Sequence, residues 1–183
     1  MNTKRLDPVL FSVILTFVAV GLMLFACFAV YPLSPPMERY VITSGVGYRV
    51  KPMGGGEEAL HRGVDLAGAV GTPILAAGSG IVAETWPPPG TRRADGKIFA
   101  GHPQLGGMIV IDHGGGVLTL YGHLSAVYVK RGDRIRTGQV IGLLGATGKV
   151  TGPHLHFELI MDPCLFFPAP LGQPLRDLRG LLR

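Results

Sequence analysis

The sequence is short of cysteine and short of charge. Two cysteines in 183 residues exclude a disulfide framework and a multi-cysteine zinc or iron–sulfur site. Charged residues make up 16%, well below the ~25% usual for soluble domains. There is no exact internal repeat, and the 28 glycines and 15 prolines follow no collagen-like period. That richness disfavours a helical bundle and favours short strands separated by many turns. The net charge of +5 suits an anionic partner but does not choose among polymer, lipid and nucleic acid. No aromatic-and-basic platform of the single-strand-binding kind occurs, so no nucleic-acid partner is expected.

Charge is missing altogether from Val9 to Tyr31. As a helix this stretch spans roughly 34 Å, enough for a bilayer core of ~30 Å. Fourteen of its residues are Val, Ile, Leu or Phe, which favours insertion by roughly 4–8 kcal/mol. The run is long for a cleaved leader, and no small-x-small site precedes Pro32. The expectation is a tail over 1–8, a transmembrane signal-anchor helix over 9–31 and a Pro-rich linker over 32–40. Phe25 is too bulky for a lipoprotein box ending at Cys27, which reads as a small apolar residue of the helix. Lys4 and Arg5 precede the segment and Arg39, Arg49 and Lys51 follow it, so the positive-inside count does not orient it.

Beyond the linker, strands are expected at 41–43, 48–50, 73–77, 80–86, 108–112, 117–123, 127–130, 140–144 and 154–160. They are short, rich in Val, Ile, Leu and Tyr, and punctuated by glycine. The domain over 41–163 is therefore expected to be all-β. A basic stretch over 87–107 interrupts the rhythm; loops of that length are usually functional or disordered. At the C-terminal end, Leu175, Leu178, Leu181 and Leu182 recur at helical spacing among Arg176, Arg179 and Arg183. This predicts a short amphipathic helix within a tail over 164–183, docked on the domain, with an anionic lipid surface as the alternative. Cys164 reads as a buried free thiol.

Six histidines remain. In His154-Leu155-His156 strand alternation sends both imidazoles to one face. His61 and Asp65 also share a face if their segment is extended, as Gly63 and Val64 imply. Two histidines and one carboxylate form a sound zinc set, leaving a fourth position open. His123 ends a strand within Tyr121-Gly122-His123-Leu124, where a neutral imidazole could serve as a proton acceptor. Each piece is weak alone.

Their order is specific. His-x-x-x-Asp, then Tyr-Gly-His-Leu, then Gly-Pro-His-Leu-His-Phe-Glu-Leu resembles the LytM/lysostaphin-type zinc metallopeptidases. The resemblance runs over 41–163. It includes Ser44 to Val50, Gly71 to Ala77, and the stretch Val129 to Gly145, which is similar to the family's VKxGxxVxxGQxIGxxG. It implies a barrel-sandwich fold of the duplicated-hybrid, lipoyl-like kind. It implies Zn2+ held by His61, Asp65 and His156, with His123 and His154 catalytic and the choice of base between them open. Glu158, on the same strand face as His156, is expected as a surface cross-strand charge, with an outer partner of the metal ligands as the alternative; His113 is expected as structural and His102 as a solvent-exposed loop residue.

The implied activity is a membrane-anchored endopeptidase that hydrolyses peptide crosslinks of bacterial peptidoglycan with a zinc-activated water. The implied partners are peptidoglycan stem or bridge peptides, membrane lipid through the N-terminal helix, and other cell-wall enzymes. The expected location is the bacterial cytoplasmic (inner) membrane, single-pass, with the catalytic domain on the outer, periplasmic face. Two alternatives are a non-cutting zinc-binding regulator of a wall amidase and a lipoyl, biotinyl or phosphocarrier domain. The intact ligand set counts against the first, and the absence of a modifiable lysine at a hairpin tip against the second.

Overall fold

The structure, a computed structural model, describes residues 33–50, 56–92 and 94–161. The expected membrane helix over 9–31, the amphipathic helix near the C-terminal end, Cys27 and Cys164 lie outside the described residues. Those residues form eleven strands: β1 (Val41–Ser44), β2 (Gly47–Val50), β3 (Glu58–His61), β4 (Val64–Ala67), β5 (Pro73–Leu75), β6 (Gly80–Trp86), β7 (Gly107–Asp112), β8 (Val117–Val127), β9 (Arg134–Ile135), β10 (Val140–Leu144) and β11 (His154–Met161). The fold is all-β and antiparallel. The main sheet runs β1-β4-β11-β8-β7-β6-β9, with β10 pairing both β8 and β5. β2 and β3 form a separate ribbon.

β7 and β8 make the centre. Their side chains are buried on both faces, so they read as continuous apolar runs rather than alternating ones. Met108, Val110, Leu118 and Leu120 pack on one side with Trp86, Leu105 and Ile160. Ile109, Ile111, Thr119 and Tyr121 are equally buried and alternate with them. The turn between the two strands places Gly114, Gly115 and Gly116 all at positive φ (84°, 54° and 77°), a run that side-chain-bearing residues would resist.

Three differences from the sequence reading bear on the site. β3 and β4 fall where only an extended or looped segment is expected, because four-residue strands mixing polar and apolar residues carry no clear period. The strand expected at 127–130 is instead the end of β8, which runs on to Val127 past a bulge at His123. Residues 34–37, within the stretch expected as linker, pack on the domain: the Ser34 N–H donates to Ala77 O at 2.7 Å, Pro36 O accepts from Leu75 at 2.8 Å, and Met37 is buried.

Candidate metal centre

His61 closes β3 and Asp65 is the second residue of β4, so a two-residue link, Arg62-Gly63, carries the chain from the ribbon into the main sheet. β4 pairs with β11 in a register that sets Asp65 opposite His156 and Ala67 opposite His154. On its other edge β11 sets His156 opposite Gly122 of β8. Three segments distant in sequence thus converge at one end of the sheet. Gly63 makes the approach possible. A Cβ there would lie 2.6 Å from Phe157 O and 2.8 Å from the His156 ring.

His61, Asp65 and His156 are all buried. Asp65 Oδ1 lies 3.0 Å from His61 Nε2 and 2.9 Å from His156 Nδ1. The two imidazole nitrogens are 3.1 Å apart, and one donor atom from each residue falls within 4.8 Å of the others.

The outer hydrogen bonds decide what those atoms are. Gly45 O can only accept, so His61 Nδ1, 2.7 Å away, carries the ring proton and Nε2 is a lone pair. Glu158 Oε1 stands 2.8 Å from His156 Nε2, which places a proton there and leaves Nδ1 as a second lone pair. Two lone pairs and a carboxylate oxygen therefore face one another in a buried pocket. Such a set needs a cation. A zinc-type ion fits its N, N, O chemistry, each ligand carrying an outer partner. Without an ion, a proton takes the place. Burial works against a charged His156, but hydrogen bonds to Asp65 and Glu158 outweigh it and raise its pKa to about 9. Burial alone would push the Asp65 carboxyl up; the His156 hydrogen bond and the charges of His61, His154 and His156 instead hold it far below the usual range.

His123 and His154 stand beside this trio, their ring centroids 4.7 Å apart. Each donates Nδ1–H to a backbone carbonyl, His123 to Thr147 at 2.8 Å and His154 to Gly152 at 2.9 Å, so each keeps Nε2 as a lone pair. His154 Nε2 lies 3.6 Å from Asp65 Oδ1. Burial lowers the His123 pKa to about 4, which keeps the ring neutral at ordinary pH. His123 is the one non-glycine at positive φ (65°) among the described residues. The β7–β8 register shifts between Tyr121 and Leu124, marking a bulge there, and the β8–β10 register shifts just beyond it, between Leu124 and Ala126. Bulges of this kind re-aim a side chain, and a left-handed non-glycine costs roughly 1–3 kcal/mol.

Several participants were invisible to sequence reasoning. Arg49 of β2 reaches Asp65 Oδ2 at 3.1 Å and donates to Ser44 Oγ at 2.8 Å. The segment 44–50 carried the family resemblance, but no role for Arg49 followed from it. Glu158, expected as a surface charge, is instead largely covered and bonded to His156. The face it shares with His156 is closed over by neighbouring strands, which alternation alone does not reveal. Thr147 Oγ1 accepts the Gly107 N–H and donates to Leu124 O, both near 2.9 Å, fixing the loop that holds His123.

The 87–107 stretch supplies part of the wall. Its backbone bridges Arg92 to Ile98 and His102 to Gly106, and Leu105 O accepts the His123 N–H at 2.7 Å. His102 is not solvent-exposed as expected: it is half-buried, edge-on to Trp86, and its Nδ1 accepts from Leu105 N. His113 is structural as expected, bonded to Ser79 O and Thr119 Oγ1. A groove of about 330 Å³ opens over all five site residues, walled by Arg49, Gln104, Leu105, Lys149, Val150 and Thr151. A larger cavity of about 640 Å³, beside β5 and the 38–41 segment, contains none of the five.

Fold and centre together define an antiparallel β protein with a His–Asp–His cluster of metal-binding chemistry at the floor of a groove. Comparison with known proteins gives the family. Residues 59–163 match the model of Peptidase family M23, and the chain belongs to that family of metallopeptidases. It is 44% identical over 103 residues to the peptidoglycan DD-endopeptidase ShyA of Vibrio cholerae, covering 56% of this chain and 21% of that protein. It is 35% identical over 144 residues to the DD-carboxypeptidase/endopeptidase Mpg of Neisseria meningitidis, covering 78% and 30%. Among solved structures it resembles a zinc-containing peptidase from Vibrio cholerae (TM-score 0.55, 36% identity, 72% of this chain and 36% of that one). It also resembles the catalytic domain of lysostaphin from Staphylococcus simulans (TM-score 0.52, 33% identity, 67% and 80%). The chain spans less than a third of the length of the curated relatives named here.

Proposed function

We propose that this chain is a membrane-anchored zinc endopeptidase that hydrolyses peptide crosslinks of bacterial peptidoglycan. The observation that carries the reading is the buried convergence of His61 Nε2, Asp65 Oδ1 and His156 Nδ1, which lie within 3.1 Å of one another. Named peptidoglycan endopeptidases among the relatives support the substrate class. The uncharged stretch Val9 to Tyr31 supports the anchor, and with it an inner-membrane location with the domain on the outer face. We also read the sheets as the barrel-sandwich of the lipoyl-like kind.

His61, Asp65 and His156 are the residues that would hold zinc. Bound there, zinc supplies Lewis-acid chemistry, lowering the pKa of a water toward ~7 and polarising the scissile carbonyl. The protein's own contribution is proton handling. His123 and His154 present Nε2 lone pairs toward the groove, with ring tautomers locked by Thr147 O and Gly152 O. Either can accept a proton from the attacking water and return it to the leaving amine. A His123 that resists protonation is, once charged, a strong donor to that amine.

The test is a digest of purified peptidoglycan with the full chain in detergent, read by mass spectrometry, with a chelator arm and a His154→Ala arm. New uncrosslinked peptides that vanish in both arms are expected, and their masses identify the bond. An unchanged wall from folded protein carrying about one zinc per chain overturns the reading in favour of a non-cutting regulator.

A further inference from the structure

Asp65 has two carboxylate oxygens, and the fold treats them differently. Oδ1 faces His61 and His156. Oδ2 points the other way and meets the Arg49 guanidinium at 3.1 Å. Arg49 is itself held: Nη1 donates to Ser44 Oγ at 2.8 Å, and Ser44 stands opposite Asp65 in the β1–β4 pairing. Thr43 Oγ1 donates to the Asp65 carbonyl at 3.2 Å. Arg49 lies opposite Ala59 in the ribbon whose other strand ends in His61. One side chain thus ties the strand carrying the first histidine to the carboxylate that follows it.

We propose that Arg49 is a positioning residue for the metal centre: it retains Oδ2 of Asp65 so that the carboxylate offers the ion one oxygen only. An unrestrained carboxylate can turn and present both oxygens. Zinc at a working site keeps three protein ligands and one open position, and a second carboxylate oxygen would compete for that position. Two effects oppose each other at Arg49. Its positive charge repels a divalent ion, while its hydrogen bond orients the ligand. Outer partners of metal ligands typically matter by roughly 10–100-fold in affinity, and a desolvated Asp65, only 7% exposed at its side chain, depends on such a partner. Orientation therefore outweighs repulsion. The assignment also gives a purpose to the 44–50 segment, which contributes no ligand yet supplies Ser44 Oγ, Gly45 O and Arg49 to the frame. It rests on the metal-site reading above and deepens it.

The experiment uses the full chain in detergent, stripped and reloaded with Co²⁺ or Zn²⁺ alone. Cobalt reports coordination number through its visible absorption, which is intense for four ligands and weak for five. For Arg49→Ala the expected results are a weakened cobalt band and about 10–100-fold weaker zinc binding by chelator competition. Arg49→Lys should recover much of both, and the metal-free melting temperature should stay near the wild-type value. Ser44→Ala, which leaves the guanidinium but removes its Nη1 acceptor, should move both readouts the same way by less, and it carries the test if Arg49→Ala does not fold. A wild-type cobalt band in Arg49→Ala, or zinc binding equal to or tighter than wild type, overturns the proposal. These arms need no peptidoglycan. A wild-type chain that binds cobalt but leaves the wall intact overturns the proposed activity and not the role of Arg49, and one that takes up no cobalt overturns both.

Discussion

Two buried polar networks meet β8, one built from its own side chains and one beside its bulge, and they obey opposite rules. Toward its start, Thr119 Oγ1 meets His113 Nε2 at 2.8 Å and Tyr121 Oη at 3.0 Å. Tyr121 Oη accepts the Ala77 N–H at 2.8 Å, and His113 Nδ1 donates to Ser79 O. Hydroxyls can turn their hydrogens either way, so every member of this network finds a partner. The contrast lies further along the strand, beside the bulge at His123, where His156 stands opposite Gly122. There the outer nitrogens of His61 and His156 are committed to Gly45 O and Glu158, and the inner ones, with Asp65 Oδ1, are satisfied only by a metal ion or an added proton. Residue type does not separate a structural histidine from a candidate ligand here. The balance of donors and acceptors does.

Removing the carboxylate should break the contrast most severely. Asp65→Ala leaves two facing lone pairs and no counter-charge, and both zinc binding and wall hydrolysis should fall below detection. Chelation of the wild type should do the same reversibly. It should also lower the melting temperature, since ligand held at ~1,000 times its dissociation constant stabilises a fold by about 4 kcal/mol. Retention of stoichiometric zinc by Asp65→Ala, read by metal analysis after gel filtration, would remove this residue from the ligand set.

Next in size is His123→Ala. Its ring contacts His154 and His156 edge-on but offers no atom to the three-acceptor cluster. Turnover should drop by about 10²–10⁴ while zinc affinity stays within a few-fold. A parallel loss of zinc would make His123 a ligand and merge the two roles.

The two histidines of the proposed metal set are distinguished further by pH. In the metal-free protein His156 keeps its second proton up to about pH 9, so zinc must displace it. Apparent affinity should therefore rise about tenfold per pH unit toward that value, with one proton released per ion. Chelator competition across pH 6 to 9 measures the slope, and a flat profile would mean that His156 is already neutral. The sign for stability follows from the same shift. A raised histidine pKa stabilises the metal-free fold fully below its ordinary value of 6.5 and loses that contribution as pH rises through about 9. His123, lowered to about 4, acts oppositely: its contribution is complete above about 6.5 and is lost as pH falls through about 4.

The order of the motifs, similar to that of a known family, made the five histidine and aspartate positions legible; alternation alone only grouped His154 with His156 and His61 with Asp65. The all-β class was legible from short apolar runs punctuated by glycine. What stayed hidden depends on pairing across the sheet. Nothing in Tyr121-Gly122-His123 announces a left-handed histidine; the bulge exists because β7 slips register against β8 there, with β10 slipping at Ser125 just beyond. Arg49 and Thr147 act on residues 16 and 24 positions away, a distance that motif spacing does not encode. Glu158 was misread because a strand face can be assigned from sequence while the cover over that face cannot.

The smallest expected effect comes from the closed network, and it sharpens the comparison from the other side. Thr119 is fully buried, and Thr119→Val keeps its shape while deleting the hydroxyl that joins His113 to Tyr121. Burial raises the Tyr121 pKa, so the phenol stays neutral and still accepts from Ala77, but its contact with the threonine is gone. Leaving buried groups one partner short costs about 1–3 kcal/mol, a few degrees in melting temperature for a domain of this size. Zinc affinity should not change and turnover should stay within about twofold, because Thr119 sits four residues before the bulge at His123. A balanced network should register only in stability, whereas the unbalanced one should register in metal binding and turnover. If Thr119→Val weakened zinc binding, the two ends of β8 would be coupled through the strand, and the separation drawn from donor and acceptor balance would fail.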